Sequence, residues 1–181
     1  DSGVEKILSI SASRFSARPT RINDVGVIYD LSIHDIDLIC FLYGSFPKNI
    51  SCVAFNTNGN EEHVKLLMEF GGEKLGSCET SWLSNENLRR LEILTDKNLW
   101  ILDLLGLKII KSNNLDGKSI FDVENINALE AELINFLTST IEEDSKPLVT
   151  ALDGLKAVTI AEACIKSYKT NNIIRLENQL N

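Results

Sequence analysis

Hydrophobic and polar positions alternate from Ile7 to Ser13, with Leu8, Ile10 and Ala12 set against Ser9, Ser11 and Ser13. A period of two predicts a strand with one buried face. The basic stretch Arg14 to Arg21 that follows breaks the pattern, and Pro19 within it opposes both helix continuation and central strand pairing. From Gly26 to Tyr43 the chain is long and apolar, then meets Gly44 and Pro47, which predicts a helix closed by a C-terminal glycine.

Residues 48–112 read differently. Turn chemistry recurs at 56–60, Gly71-Gly72, 84–87, 96–98 and Gly106, and cuts this stretch into five or six short runs. Between the turns, Val64, Leu66, Met68 and Phe70 alternate with polar neighbours, as do Cys78, Thr80 and Trp82, and then Trp100, Leu102 and Leu104. Loops this short join antiparallel neighbours, so the expectation is an antiparallel meander. One face is core-directed; the other is mixed, with Leu67, Leu94 and Ile101 among charges, a composition that suits a solvated face or a protein interface.

Two helices and a short strand are predicted to end the chain. Asn127 with Glu130 opens the first helix, which carries Leu129, Leu133, Phe136 and Leu137; Thr150-x-x-Asp153 is a capping box for the second, with Leu155, Val158, Ala161 and Ile165 on its face. Ile173 and Ile174 then return to the sheet. The fold class is α+β: one open-faced antiparallel sheet with helices packed on one face.

Composition narrows the functional classes. The 181 residues are 44% hydrophobic and 24% charged, which is enough apolar material for one core. A net charge of −8 opposes nucleic acid and anionic membranes as partners. Cys40, Cys52, Cys78 and Cys164 lack disulfide or zinc spacing, so they read as buried thiols of a reducing, cytoplasmic compartment.

The chemistry concentrates in Gly26 to Asp37. At 100° per residue, Asp30, His34 and Asp37 fall within about 60° of one another, beside an apolar stripe of Ile28, Leu31, Leu38, Ile39 and Leu42. Asp35 projects into that stripe and demands a buried partner. A carboxylate one turn before a histidine can fix its tautomer and raise the basicity of its other nitrogen, which suits proton exchange with a hydroxyl. The same spacing also suits a surface helix whose histidine is merely solvated, and the residues alone leave both readings open. A metal on Asp30, His34, Asp35 and Asp37 is disfavoured, because one histidine with carboxylates on a single helix seldom completes a coordination sphere.

The segment Gly26 to Asp37 resembles the signature G-x-x-x-D-x-x-x-H-x-x-D of the glucose–fructose oxidoreductase / inositol 2-dehydrogenase / MocA family, in its C-terminal domain. The tail from Ser145 to Val158, with Glu162-Ala163 and Ser167, is similar too. The resemblance implies a two-domain NAD(P)-dependent oxidoreductase acting on a sugar, polyol or sugar nucleotide. An N-terminal Rossmann domain would hold NAD or NADP, and the open sheet would assemble a homodimer or tetramer. It assigns His34 as catalytic acid/base with Asp30 beside it, and places Asp37 at the substrate. No cofactor-binding residue is expected in this chain: no G-x-G-x-x-G opens a helix, Gly71 to Gly76 is a hairpin, and Ser145-Lys146-Pro147 sits too late to be the family's Glu-Lys-Pro lysine. The chain is therefore expected to be one domain of a longer polypeptide, inactive by itself.

Arg14, Arg18 and Arg21 precede the signature in an expected loop, where their forks suit a carboxylate or a sugar-nucleotide diphosphate, or simply solvent. The alternative function is a non-catalytic assembly module that uses the sheet face; a metal-dependent hydrolase is the weakest option.

Overall fold

The computed structural model describes residues 4–57, 59–142 and 145–176. Residues 1–3 and Asn58, the latter within a predicted turn, lie outside the described residues. Nine strands form one sheet: β1 Ile7–Ala17, β2 Asn49–Asn56, β3 Glu61–Phe70, β4 Lys74–Ser81, β5 Leu83–Thr95, β6 Leu99–Asp103, β7 Lys108–Asn113, β8 Gly117–Asp122 and β9 Ile174–Arg175. A π-helical turn, Ile28–Ser32, leads into α1 (Ile33–Tyr43); α2 is Ala128–Ile141 and α3 is Ala151–Thr170.

The strand order β8-β7-β6-β5-β1-β4-β3-β2-β9 corrects the expected meander. β1 lies between β4 and β5, parallel to the first and antiparallel to the second, so the sheet is mixed rather than wholly antiparallel. The residues expected as a turn, 84–87, instead lie within β5, at the register shift between the Phe15–Leu88 and Ala17–Leu83 pairs, so β4 and β5 do not form a hairpin of neighbours and β1 stands between them. β1 also continues to Ala17, through residues expected to be loop, because Arg14 and Phe15 find partners on both sides: Thr80 and Ser81 on β4, Arg89 and Leu88 on β5. A further strand, β8, follows the predicted set.

The helix predicted from Gly26 to Tyr43 forms with one departure, the π turn. Its start is held from across the sheet. The buried Glu61 carboxylate accepts the Ile28 backbone N–H at 3.2 Å and the Tyr168 hydroxyl at 3.2 Å. Gly26 is required there, since a Cβ at that position would stand 2.2 Å from the Glu61 carboxylate. Gly44 closes α1 at φ +57°, a left-handed conformation that glycine adopts without strain.

α1 packs on β1 and β4, and α3 packs on α1, β2 and β9. Between them lie Ile10, Ile36, Ile39, Ile50, Met68, Ile160 and Cys164, all essentially sealed from water. The capping box of α3 is present, and Asn127 accepts the Glu130 N–H at the start of α2. The buried stripe of α3 is Ala157, Ile160, Ala161, Ala163, Cys164 and Ser167; Leu155 and Val158, expected on that face, are exposed. Small residues take the contact because α3 lies close against β2. In α2 no residue is buried, and Leu129, Leu133, Phe136 and Leu137 all face outward. Only α1 and α3 therefore cover the sheet, over its β1–β4 half.

Candidate functional site

The π turn and first turn of α1 stand over the ends of β1 and β4, and this juncture gathers most of the singled-out residues. Asp35 is 4% exposed, and its carboxylate meets the Arg14 guanidinium in a two-point fork, Nε at 2.8 Å and the terminal nitrogen at 2.5 Å. That pair answers the demand the helical pattern made of Asp35: the partner comes from β1, where strand alternation turns Arg14 toward the helices. A bidentate fork matches both carboxylate oxygens, so neither charge is buried alone.

Arg18 is engaged similarly. Its guanidinium donates to Glu62 at 2.7 Å and lies 5.3 Å from the centre of the Trp82 ring, while Thr57 also hydrogen-bonds Glu62. Arg21 is exposed. Of the three arginines grouped by sequence, two serve internal carboxylates, and they belong to strand and strand end rather than to a common loop.

Asp30 accepts the Trp82 indole N–H at 3.2 Å through one carboxylate oxygen. The His34 ring is exposed and makes no hydrogen bond among the described residues. Asp30 was expected to stack beneath His34, one α-helical turn earlier. The intervening residues lie in a π turn, whose wider i→i+5 winding rotates Asp30 away from the α-helical register. Trp82 thereby becomes a site residue that motif reasoning missed, although one signal existed. A tryptophan on a core-directed face must find an acceptor for its N–H, but the resemblance assigns Asp30 to His34.

Asp37 lies on the flank of α1 toward α3, in a cavity of about 320 Å³ shared with Cys40, Phe41, Val149, Asp153 and Lys156. Burial and then the charge of Asp153 push its carboxyl above the ordinary range, while His34 acts in the opposite sense. α1 and α3 lie over β1, β4, β2 and β9; Leu91 of β5 is sealed from water, whereas the helix-side residues of β6–β8 are half-buried or exposed. Among the described residues there is no glycine-rich β-α-β crossover to hold a dinucleotide.

No curated protein sequence matches this chain. Solved structures match its fold closely. UDP-N-acetylglucosamine 3-dehydrogenase GnnA from Acidithiobacillus ferrooxidans superposes with a TM-score of 0.82 at 21% identity, over 92% of this chain and 56% of that one. A levoglucosan dehydrogenase in complex with NADH and L-sorbose gives 0.83 at 15% identity, covering 95% and 59%. An oxidoreductase from Agrobacterium radiobacter in complex with NAD+, L-tartaric acid and magnesium gives 0.73 at 15% identity, covering 94% and 57%. The chain thus spans somewhat over half the length of these structures. The model of the GFO/IDH/MocA C-terminal domain matches residues 7–99, which include β1, the whole Gly26–Asp37 signature and strands β2–β5, just over half of the sequence. With signature, strand order and family model in agreement, the chain belongs to the GFO/IDH/MocA family and carries its C-terminal domain.

Proposed function

We propose that this chain is the substrate-binding and acid/base domain of an NAD(P)-dependent oxidoreductase acting on a hydroxyl of a sugar, polyol or sugar nucleotide. One observation carries the reading: an exposed imidazole, His34, on a helix turn pinned by the buried Arg14–Asp35 pair. A rigid mount with an exposed imidazole is what general acid/base work requires.

A nicotinamide, when bound, accepts the hydride of the carbinol carbon. The residues here fit only that reacting end, so the dinucleotide is assigned to an N-terminal Rossmann domain of the same polypeptide. What this chain does is move the proton. His34 takes the hydroxyl proton as the carbon–oxygen bond becomes a carbonyl. Asp37, expected at the substrate, faces the α3 side of α1 with Asp153 and Lys156 and is given no part in the proton transfer. Alone, the domain lacks turnover. The decisive test is sugar-dependent formation of NAD(P)H by the longer polypeptide; its absence across neutral, phosphorylated and nucleotide-linked sugars would overturn the reading.

The open sheet face supports assembly as a homodimer or tetramer. One row across eight strands reads Ser51, Leu67, Ser77, Ser11, Glu92, Ile101, Ile110 and Ile120. The serines at the centre lie between Leu67 on one side and, beyond the Arg90-paired Glu92, the half-buried Ile101 and Ile110 and the exposed Ile120, a surface that a second copy can meet. Leu67→Glu combined with Ile101→Glu should yield monomers in sedimentation; a wild-type chain that stays monomeric at high concentration would remove this part of the proposal. The same face underlies the second reading, a non-catalytic assembly module, which expects His34 to be dispensable. Four free thiols, three of them buried, support a reducing compartment, the cytoplasm. No helix among the described residues is long and apolar enough to cross a membrane, and the net charge of −8 speaks against a nucleic-acid partner.

A further inference from the structure

Glu61 opens β3 as a buried carboxylate with no ion pair among the described residues, although its neighbour Glu62 is matched to Arg18. A buried carboxylate without a cation is costly unless N–H or O–H groups point at it. Two do. Its Oε1 accepts the Ile28 backbone N–H at 3.2 Å from the π turn, and its Oε2 accepts the Tyr168 hydroxyl at 3.2 Å from α3. Burial, and then the charge of Glu61, push that hydroxyl up to about 12, so it keeps the proton it donates. Ile28 is itself fully buried at the start of a helix, where its N–H has no intrahelical acceptor and no water to meet.

The link to His34 runs through the peptide groups of one turn. Ile28 gives its N–H to Glu61 and offers its C=O to the Ile33 N–H, the i→i+5 bond that makes the turn π-helical, and His34 follows Ile33 directly. Gly26 is the seat of the carboxylate. Its backbone is outside the left-handed region, so the missing side chain serves the close approach of Glu61 rather than a strained conformation. The Arg14–Asp35 pair holds α1 just beyond His34, and Glu61 holds the turn just before it. An imidazole that must reach a carbinol proton needs both, since a misplacement of about 1 Å can cost on the order of 10²-fold in rate.

We infer that Glu61 is a positioning residue for His34: seated against Gly26, its carboxylate holds the Ile28 peptide, and with it the π turn that aims the imidazole at the substrate hydroxyl. This rests on the dehydrogenase reading for His34 and adds the side chain that sets its direction. Glu61 touches neither substrate nor transferred proton, and Tyr168 carries the tie onward to α3.

The test is steady-state kinetics of the longer polypeptide, joined to amide hydrogen exchange at Ile28 and Ile33. Glu61→Ala should lower kcat roughly 10- to 100-fold with little change in KM, and should speed exchange at both amides. Glu61→Gln should recover most of kcat, because its amide oxygen still accepts the Ile28 N–H and its NH2 can donate to the phenolic oxygen of Tyr168. Glu61→Asp should not, for it keeps the charge but falls one methylene short of the turn. Gly26→Ala should match Glu61→Ala when made alone and be nearly silent in the Glu61→Ala background, where the carboxylate it would strike is gone. Added to His34→Asn, Glu61→Ala should cost little more, whereas a residue that only supports the fold would multiply the loss. If Glu61→Ala does not fold, Glu61→Asp and Gly26→Ala carry the same expectation. Unchanged kcat, unchanged exchange, or losses that multiply with His34→Asn each overturn the proposal. Activity that needs His34 and ignores Glu61 sinks this inference alone; full turnover by His34→Asn sinks the acid/base reading and this inference with it.

Discussion

Replacing His34 with Asn in the longer dehydrogenase should lower kcat by roughly 10²–10⁴-fold, the range for a lost general acid or base. KM should change little, because the exposed ring contributes a proton route rather than the bulk of the binding surface. Fold stability should be nearly untouched, since His34 has no hydrogen-bond partner among the described residues and stands in solvent. Two readouts together make the test sharp: reduced kcat and preserved melting temperature. Wild-type turnover by the variant would leave the assembly-module reading in possession. Asp30→Asn should have a smaller effect on kcat than His34→Asn, because Asp30 is engaged by the Trp82 N–H rather than by the imidazole, and the amide can still accept that N–H.

The second large effect is structural. Asp35→Ala should destabilise the fold by about 3–5 kcal/mol, the cost of leaving a buried guanidinium without its counter-charge. Arg14 and Asp35 are 12% and 4% exposed, so solvent screens them little. Arg14→Ala should be comparably damaging, for it strands the carboxylate. The double replacement Arg14→Met with Asp35→Leu should recover most of the loss, because an apolar pair of similar volume needs no compensation. Urea titrations of the four proteins measure this directly. A single replacement within about 0.5 kcal/mol of wild type would show the pair to be hydrated and would remove the rigid mount invoked for His34. The recovered double variant carries a second use: if it melts like wild type but its His34 chemistry falters, the pair positions the imidazole as well as stabilising the helix.

Much of this molecule is legible from residue order. The period-two runs on both sides of Gly71-Gly72 became β3 and β4 in the expected register, with Val64, Leu66 and Met68 inward and Lys65, Leu67 and Glu69 outward. The Thr150–Asp153 box and the Gly44 stop marked helix ends to the residue. Local signals of this kind succeed because their energetics are local: a cap satisfies N–H groups two or three positions away, and alternation is fixed by the pleat. The site was only half legible. The Gly26–Asp37 signature located it, yet the partner of Asp35 and the acceptor role of Asp30 toward Trp82 depend on residues 21 and 52 positions distant. Gly26 illustrates the difference. The signature marks it as glycine, but only the carboxylate of Glu61, packed against its Cα, explains why no side chain fits.

By itself the sequence determined most of the elements, the buried faces of β1, β3 and β4, the acidic and thiol character of the chain, and the helix that carries His34. Only the tertiary structure decided that β1 wedges between β4 and β5, that α2 stands clear of the sheet, and which arginines are consumed by internal carboxylates. The physical reason is that alternation and caps specify a strand or helix without naming its neighbour. Charge pairing and strand order are settled by long-range contacts, where the competition among several equally plausible partners is resolved by space, burial and the geometry of the sheet.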